Sequence, residues 1–405
     1  LAPCGAAALW ETTDDMSNLK WNIPCESATV PPEFLRRGFS PLLAAVLRRR
    51  GLTAPDEALR FIGCGEEELG DPLMMTDMPQ AVRRLTGAIA SGERVAVYGD
   101  YDVDGITSSC LLTSYLRSRG LESCELYIPD RLEEGYGVNA GAIRALHERG
   151  VSLIVTVDCG VTAVEEAALA SSLGMDMIIT DHHECREVLP DVLAVVDPKR
   201  PDCSYPHRDL AGVGVAFKLL CAMEGSSDRI LDSYADLIAL GTIADVMPLT
   251  GENRFIVKRG LSKLHEAPCP GLRALLEQSG LGGKRVTAAS LGFSLAPRLN
   301  ASGRLGQVDA AVRLLMTDDP REAEHSAEML CSLNRERQLL EQDIWTDAVK
   351  MLGGEKPDGP IVLAGESWHQ GVIGIVASRL TEAYHVPAVM ICLDGEHGKG
   401  SCRSY

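Results

Sequence analysis

Three aspartates, Asp100, Asp102 and Asp104, stand at alternate positions in VAVYGDYDVDGITSS (95–109), directly before a glycine. Two carboxylates about 4 Å apart repel by roughly 4 kcal/mol at an effective dielectric of about 20. Such a run either points apart into water or surrounds a cation. In an extended chain the three share one side, because side chains alternate with period 2. They could then serve two ions, provided that other donors arrive from elsewhere. Such donors are present: Asp158 in TVDCG, Asp181, His182 and His183 in TDHHE, and Asp245 in IALGTIADVMPL. Carboxylates with imidazole suit Mn²⁺ or Mg²⁺ better than zinc, which prefers thiolate and imidazole. Asp245 follows an apolar helical stretch, where a negative charge is unfavourable unless something neutralises it.

Two other readings compete for the aspartates. Asp-x-Asp-x-Asp-Gly also opens a calcium-binding EF-hand loop, but the twelfth position, which must be acidic there, is Leu111, and a strand precedes the loop. A strand followed by DxDx[TV] marks aspartyl-phosphate phosphatases. Here Ile106 occupies the Thr/Val position, and the downstream motifs would have no role.

The elements that must position these residues are legible as alternating runs. Apolar stretches of strand length occur at 94–100, 124–130, 153–158, 175–181 and 192–198, and amphipathic helical segments separate most of them. Unalternated strands spaced by helices predict a parallel sheet covered on both faces. Asp100, Asp130, Asp158, Asp181 and Asp197 each close a strand. In open α/β sheets ligands bind beyond the carboxyl ends of the strands, so the predicted sheet carries an acidic rim where its site belongs. Helix capping accounts for one or two such aspartates, not for the whole set.

Residues 17–90 read as a helical N-terminal region, 91–317 as the α/β domain and 318–354 as one long connecting helix, with Asp319 as its cap and Pro320 at its first position. Residues 211–224 and 233–247 read as helices, whereas 282–306 is mixed, Gly-rich and basic. A new strand in PIVLAGE starts a second, partial domain over 355–405.

The chain has 405 residues, 45% hydrophobic and 24% charged, and a net charge of −18. That balance argues against a general nucleic-acid coat but leaves room for a local basic track. No apolar run approaches the roughly 18 residues of a membrane span. Thirteen cysteines, none within nine residues of another, form no CxxC motif and point to reduced thiols in the cytoplasm. Residues 1–16 are expected to be disordered or a non-native start, with no basic leader.

GDYDVDG, VDCG, DHH and IADVMPL, in that order, resemble the four motifs of the DHH phosphoesterase superfamily. From about Leu19 onward, KWNIP, YIPDRLEEGYGVN, APRLNASGRLG, WHQGVIGIVASRL and GKGSCRS are similar to its RecJ single-strand-specific exonuclease branch. The resemblance implies an α/β fold: a parallel-sheet DHH domain, then the start of a smaller α/β DHH-associated domain. It implies two divalent cations, Mn²⁺ or Mg²⁺, on Asp102, Asp104, Asp158, His182 and Asp245, with Asp158 bridging and Asp100 as a further ligand. His183 would contact the scissile phosphate, and Asp181 would orient the histidines. Arg131, Arg298, Asn300, Ser302, Arg304, His369, Ser401 and Arg403 lie in blocks that would face the substrate.

The implied activity is 5′-to-3′ hydrolysis of single-stranded DNA to mononucleotides in recombination and repair. A monomer would work with a helicase and a single-strand-binding protein, away from membranes. The family continues beyond GKGSCRS, so the chain reads as a truncation. A small-substrate phosphoesterase and a non-catalytic DNA-binding scaffold are the rival readings. The Arg-containing blocks weigh against the first and the intact ligand set against the second.

Overall fold

The computed structural model describes residues 30–266, 268–353 and 357–404; the expectation for residues 1–16 lies outside them. The chain forms two compact units, Leu1–Gly65 and Glu66–Tyr405. In the first, three short helices, α1 (Pro32–Arg36), α2 (Pro41–Arg49) and α3 (Pro55–Gly63), close over Phe34, Phe39, Ala44, Leu47 and Ala58. Ser40 caps α2 by accepting from the Leu43 amide at 3.2 Å.

In the second unit two short 3-10 turns, Glu66–Glu68 and Pro72–Met74, lead into α4 (Met78–Ser91), and strand and helix then alternate: β1 (Val95–Tyr98), α5 (Val103–Ser118), β2 (Glu125–Tyr127), α6 (Ala140–Glu148), β3 (Leu153–Val157), α7 (Val164–Ser172), β4 (Asp176–Thr180) and β5 (Ala194–Val196). The five strands are parallel in the order β2-β1-β3-β4-β5. Every residue of β1 and β3 is buried, as a sheet covered on both faces requires. On one face α6 and α7 bury Ala142, Ile143, Leu146, Ala167 and Ala170 against Ala96, Ile154 and Ile179. On the other, α5 packs against α8 (Gly212–Glu224) and α9 (Ser227–Ala244).

The strand order reverses direction between β1 and β3. At that point the two crossovers leave toward opposite sides and open a crevice beyond the strand ends. The segments carrying Asp100 and Asp158 leave β1 and β3 there.

A helical layer follows: α10 (Gly251–Glu266), α11 (Pro270–Gln278), α12 (Ala288–Ser290), α13 (Ala296–Arg304) and α14 (Val308–Met316). A π-helical turn, Leu291–Leu295, joins α12 to α13. The stretch expected to be mixed is thus helical from Ala288 to Arg304. Its glycines and Pro297 obscured the pattern. Pro297 stands near the start of α13, where a missing N–H is tolerated. Gly303 leaves room for the Tyr101 carbonyl.

Helix α15 (Pro320–Met351) has 32 residues, and Asp319 caps it by accepting from the Arg321 amide. At 1.5 Å per residue it is about 48 Å long. Its first half buries Ala323, Ala327 and Leu330 with α11, α13 and α14. Its end packs Ile344 and Ala348 into a second core with β6 (Ile361–Gly365), α16 (Ile373–Tyr384) and β7 (Ala388–Asp394). β8 (His397–Arg403) pairs antiparallel with β7. Among the described residues no helix is long and apolar enough to cross a membrane.

Candidate metal centre

The three aspartates do not share an extended strand, which corrects the expectation from alternation. β1 ends at Tyr98, and the chain turns at once into α5. Gly105 makes that turn possible, because any side chain there would collide with the Asp100 carbonyl. Asp102 becomes the cap of α5 and accepts from the amides of Asp104 (2.9 Å) and Gly105 (3.1 Å). Asp104 lies in the first turn and is buried. The amides opening α8 hold it: Gly212 donates to Oδ2 at 2.6 Å and Val213 to Oδ1 at 2.9 Å. A helix N-terminus favours a negative charge.

Asp158 follows β3 in a left-handed conformation, φ 59°. A non-glycine residue held there stores of order 1–3 kcal/mol of strain, which the surroundings must support. β4 delivers Asp181, His182 and His183 at its end, and α9 delivers Asp245 as its C-terminal cap.

The side chains converge. His182 Nε2 lies 3.1 Å from Asp158 Oδ1, 3.6 Å from Asp245 Oδ2 and 3.8 Å from Asp104 Oδ2. Donors about 2.1 Å from one octahedral ion stand roughly 3 Å apart when adjacent and about 4 Å apart when opposite, and the three distances fall in that range. Ligand atoms of Asp104, His182 and Asp245 gather within 4.8 Å of one another, and so do those of Asp100, Asp102 and Asp158. A third such group, Asp158, His182 and His183, overlaps both.

The electrostatics are those of an acidic cluster in need of positive charge. Burial, then repulsion from Asp245 and Asp102, pushes the Asp104 carboxyl well above the usual range. Burial and then Asp104 do the same to Asp158. Asp100 rises to about 7 through burial and Asp102, and Asp245 to about 6 through the same two causes. Asp100 Oδ1, Asp158 Oδ1 and Asp245 Oδ2 are buried without a hydrogen-bond donor, a costly condition unless another positive group satisfies them. Burial, followed by the charge of His183, lowers His182 to about 4, so its imidazole is neutral and available as a ligand. Orphaned oxygens, a neutral imidazole and hard carboxylate donors fit divalent cations of the Mg²⁺ or Mn²⁺ kind.

His183 is tuned the other way. Its Nδ1 lies 2.7 Å from Asp181 Oδ1, and that hydrogen bond raises it to about 9. The same oxygen accepts from the His182 and His183 amides, while Oδ2 accepts from Val161. Burial opposes ionisation of Asp181, yet the His183 hydrogen bond and charge hold it below the usual carboxylate range.

Beside the cluster, a cleft of about 330 Å³ is lined by Asp100 and Asp102, by Arg131, Asn300 and Arg304, and by Tyr101 and Tyr136. Arg131 stacks 4.9 Å over the Tyr101 ring, and Tyr136 Oη lies 3.4 Å from His183 Nε2. Asn300 accepts from the Val103 amide at 3.2 Å. Arg304, lowered to about 10 by burial and then by Arg131, donates to the Gly371 carbonyl at 3.2 Å. Two guanidiniums gathered in one cleft call for an anion.

Ser302 is a correction: it is wholly buried, with its hydroxyl donating to Leu299 O at 2.7 Å. Asn300 and Arg304, four residues apart, share the cleft face of α13, and Ser302 falls on the opposite face. Arg298 donates to Ser294 O and is not among the cleft residues. His369 accepts from the Gly371 amide, Ser401 sits on β8 beneath Gly374, and Arg403 donates to Ser378. These three do not line the cleft either, although Gln370 and Lys399 both donate to Leu132 O beside Arg131. Tyr101 and Tyr136 were missed. Aromatics are only 5% of the chain, and two tyrosines inside motif blocks were the available signal.

Residues 94–242 match the DHH family, N-terminal domain. The chain is 45% identical over 368 residues to the single-stranded-DNA-specific exonuclease RecJ of Bacillus subtilis (strain 168), over 90% of this chain and 46% of that protein. It is 36% identical to its counterpart in Escherichia coli (strain K12), over 94% of this chain and 67% of that one. The chain belongs to the RecJ family. It spans about half the length of the Bacillus relative. Among solved structures, RecJ of Thermus thermophilus in complex with Mn²⁺ superposes with a TM-score of 0.77 at 34% identity, over 93% of this chain and 53% of that one. An exonuclease RecJ bound to manganese gives 0.72 at 39%, over 82% and 83%.

Proposed function

We propose that this chain is the nuclease portion of an enzyme that hydrolyses single-stranded DNA from the 5′ end to mononucleotides, using two divalent cations, Mn²⁺ or Mg²⁺. The observation that carries this reading is the double membership of Asp158, which lies with Asp100 and Asp102 on one side and with His182 on the other. Asp102, Asp104, Asp158, His182 and Asp245 would hold the ions, with Asp100 assisting. Bound there, a metal pair supplies an activated water and offsets charge on the phosphoryl and leaving oxygens.

The chain's own residues do the rest. With Nδ1 held by Asp181, which also favours its charged form, His183 donates a hydrogen bond from Nε2 toward a phosphate oxygen. Arg131 and Arg304 grip phosphates bidentately. Tyr136, 59% exposed, and Tyr101 offer faces on which unpaired bases stack. His369, Ser401 and Arg403 extend the track along the partial DHH-associated domain. The names of the relatives support single-stranded DNA as the substrate. The same reading includes a cytoplasmic monomer that receives its strand from a helicase and meets single-strand-binding protein.

The test offers the Mn²⁺-loaded chain 5′-labelled and 3′-labelled single strands, duplex and cyclic dinucleotides. Early labelled mononucleotide from the 5′-labelled strand alone is the expected result. A preference for cyclic dinucleotides overturns the reading.

A further inference from the structure

Apart from the acidic cluster, a groove of about 610 Å³ runs between α10 and residues 285–288. Its floor is apolar: Leu249, Val257, Leu261 and Val286. Its rim carries Arg254, Lys258, His265 and Arg285. Among the described residues that line it none is acidic, in a chain where Asp and Glu outnumber Lys and Arg by 57 to 39. Along α10 the lining positions recur at helical spacing, so one helix face presents cationic and apolar groups side by side. From Arg254 to His265 the helix advances about 16 Å, the length of about five extended residues.

We propose that this groove docks an acidic segment of a partner protein, laid along α10 with aliphatic or aromatic side chains on the floor and carboxylates at the rim. Charge complementarity selects the occupant. Arg254 and Lys258 also hold other contacts, so the exposed Arg285 and His265 are the groups that meet an incoming carboxylate. A nucleic acid strand fits less well, because among the described residues no Phe, Tyr or Trp lines the groove and unpaired bases bind chiefly by stacking on such rings. A smaller hollow of about 260 Å³ shares His265 and Val286. There Arg273 and Lys284 face Glu266 and Glu277, so selection for acidic residues belongs to the larger groove.

The experiment titrates the full chain into a fluorescein-labelled peptide in which Asp alternates with Leu and Phe, read by anisotropy. An Asn-for-Asp peptide and an oligothymidylate strand are run beside it. Arg285→Glu reverses the rim charge, and Ser262→Trp, at an exposed lining position, fills the groove. Each is expected to weaken the acidic peptide at least about tenfold, equivalent to about 1.4 kcal/mol, with melting temperature and strand cleavage unchanged. Equal binding of the Asn peptide overturns the proposal, as does undiminished binding to both variants. Oligothymidylate affinity that falls in step with the same variants assigns the groove to nucleic acid, and also overturns it. Peptide binding is read without catalysis, so it stands or falls separately from the nuclease reading.

Discussion

Gly212 and Asp158 touch so closely that a methyl group on the glycine would lie 2.6 Å from Asp158 Cβ and 2.7 Å from its Oδ1. The Gly212 amide is also the one that donates to Asp104 Oδ2. One residue without a side chain therefore sets the position of two carboxylates. Gly212→Ala is expected to cost about 1–3 kcal/mol of stability through overpacking. Turnover should fall about 100-fold, the cost of roughly 1 Å of misplacement. Calorimetric Mn²⁺ titration beside kinetics checks this; wild-type affinity and rate in the variant would refute it.

Removing Asp158 separates catalysis from stability. Asp158→Gly relieves a strained left-handed residue and deletes a buried carboxylate crowded by like charges. Without metal, the variant should melt higher than the parent. It should lose both Mn²⁺-induced stabilisation and cleavage, and keep single-strand binding. Thermal melts with and without Mn²⁺ decide this, and residual turnover near the parent's would remove Asp158 from the centre.

Acidity should oppose metal loading. Asp245 and Asp100 titrate at about 6 and about 7, above their unfolded value of about 3.9. A carboxyl raised in the folded state contributes stability that is complete below the unfolded value and is lost as pH climbs through the folded one. Without metal, this contribution declines from about pH 4 to about pH 7. Mn²⁺ needs the ionised forms, so its affinity rises over about pH 5.5 to 7.5 and binding releases protons. Titrations in buffers of different ionisation enthalpy measure the release. An affinity flat across that window contradicts the assignment.

Tyr136 is exposed and belongs to no hydrophobic core of the described residues. Tyr136→Ala should leave melting within about 0.5 kcal/mol of the parent and weaken a short oligothymidylate by about 1–3 kcal/mol. Anisotropy in a metal-free buffer isolates the effect. Tyr136→Phe should keep most of the binding, since stacking uses the ring and not the hydroxyl.

The strand-closing aspartates were legible in the sequence because unbroken apolar runs end on them, and the capping of α15 was spelled out by Asp319-Pro320. Two things were hidden. Alternation suggested one extended face for Asp100, Asp102 and Asp104, but a turn pinned by Gly105 decided their geometry. The face of α13 was concealed by glycines and a proline that local propensity reads as breakers. There, tertiary packing of Gly303 against Tyr101 determines what Asn300, Ser302 and Arg304 see.

The strand order has one more consequence. Donors from residues 100 to 245 meet only after β1, β3 and β4 have paired and α8 and α9 have closed over α5. Among the described residues two ligand groups are complete within residues 100–183, and the third, Asp104 with His182 and Asp245, waits for the end of α9. Such long-range pairing comes late when a chain folds, so the group built on Asp245 is the last to close. The topology therefore completes the candidate centre only when the parallel sheet and the end of α9 are both in place.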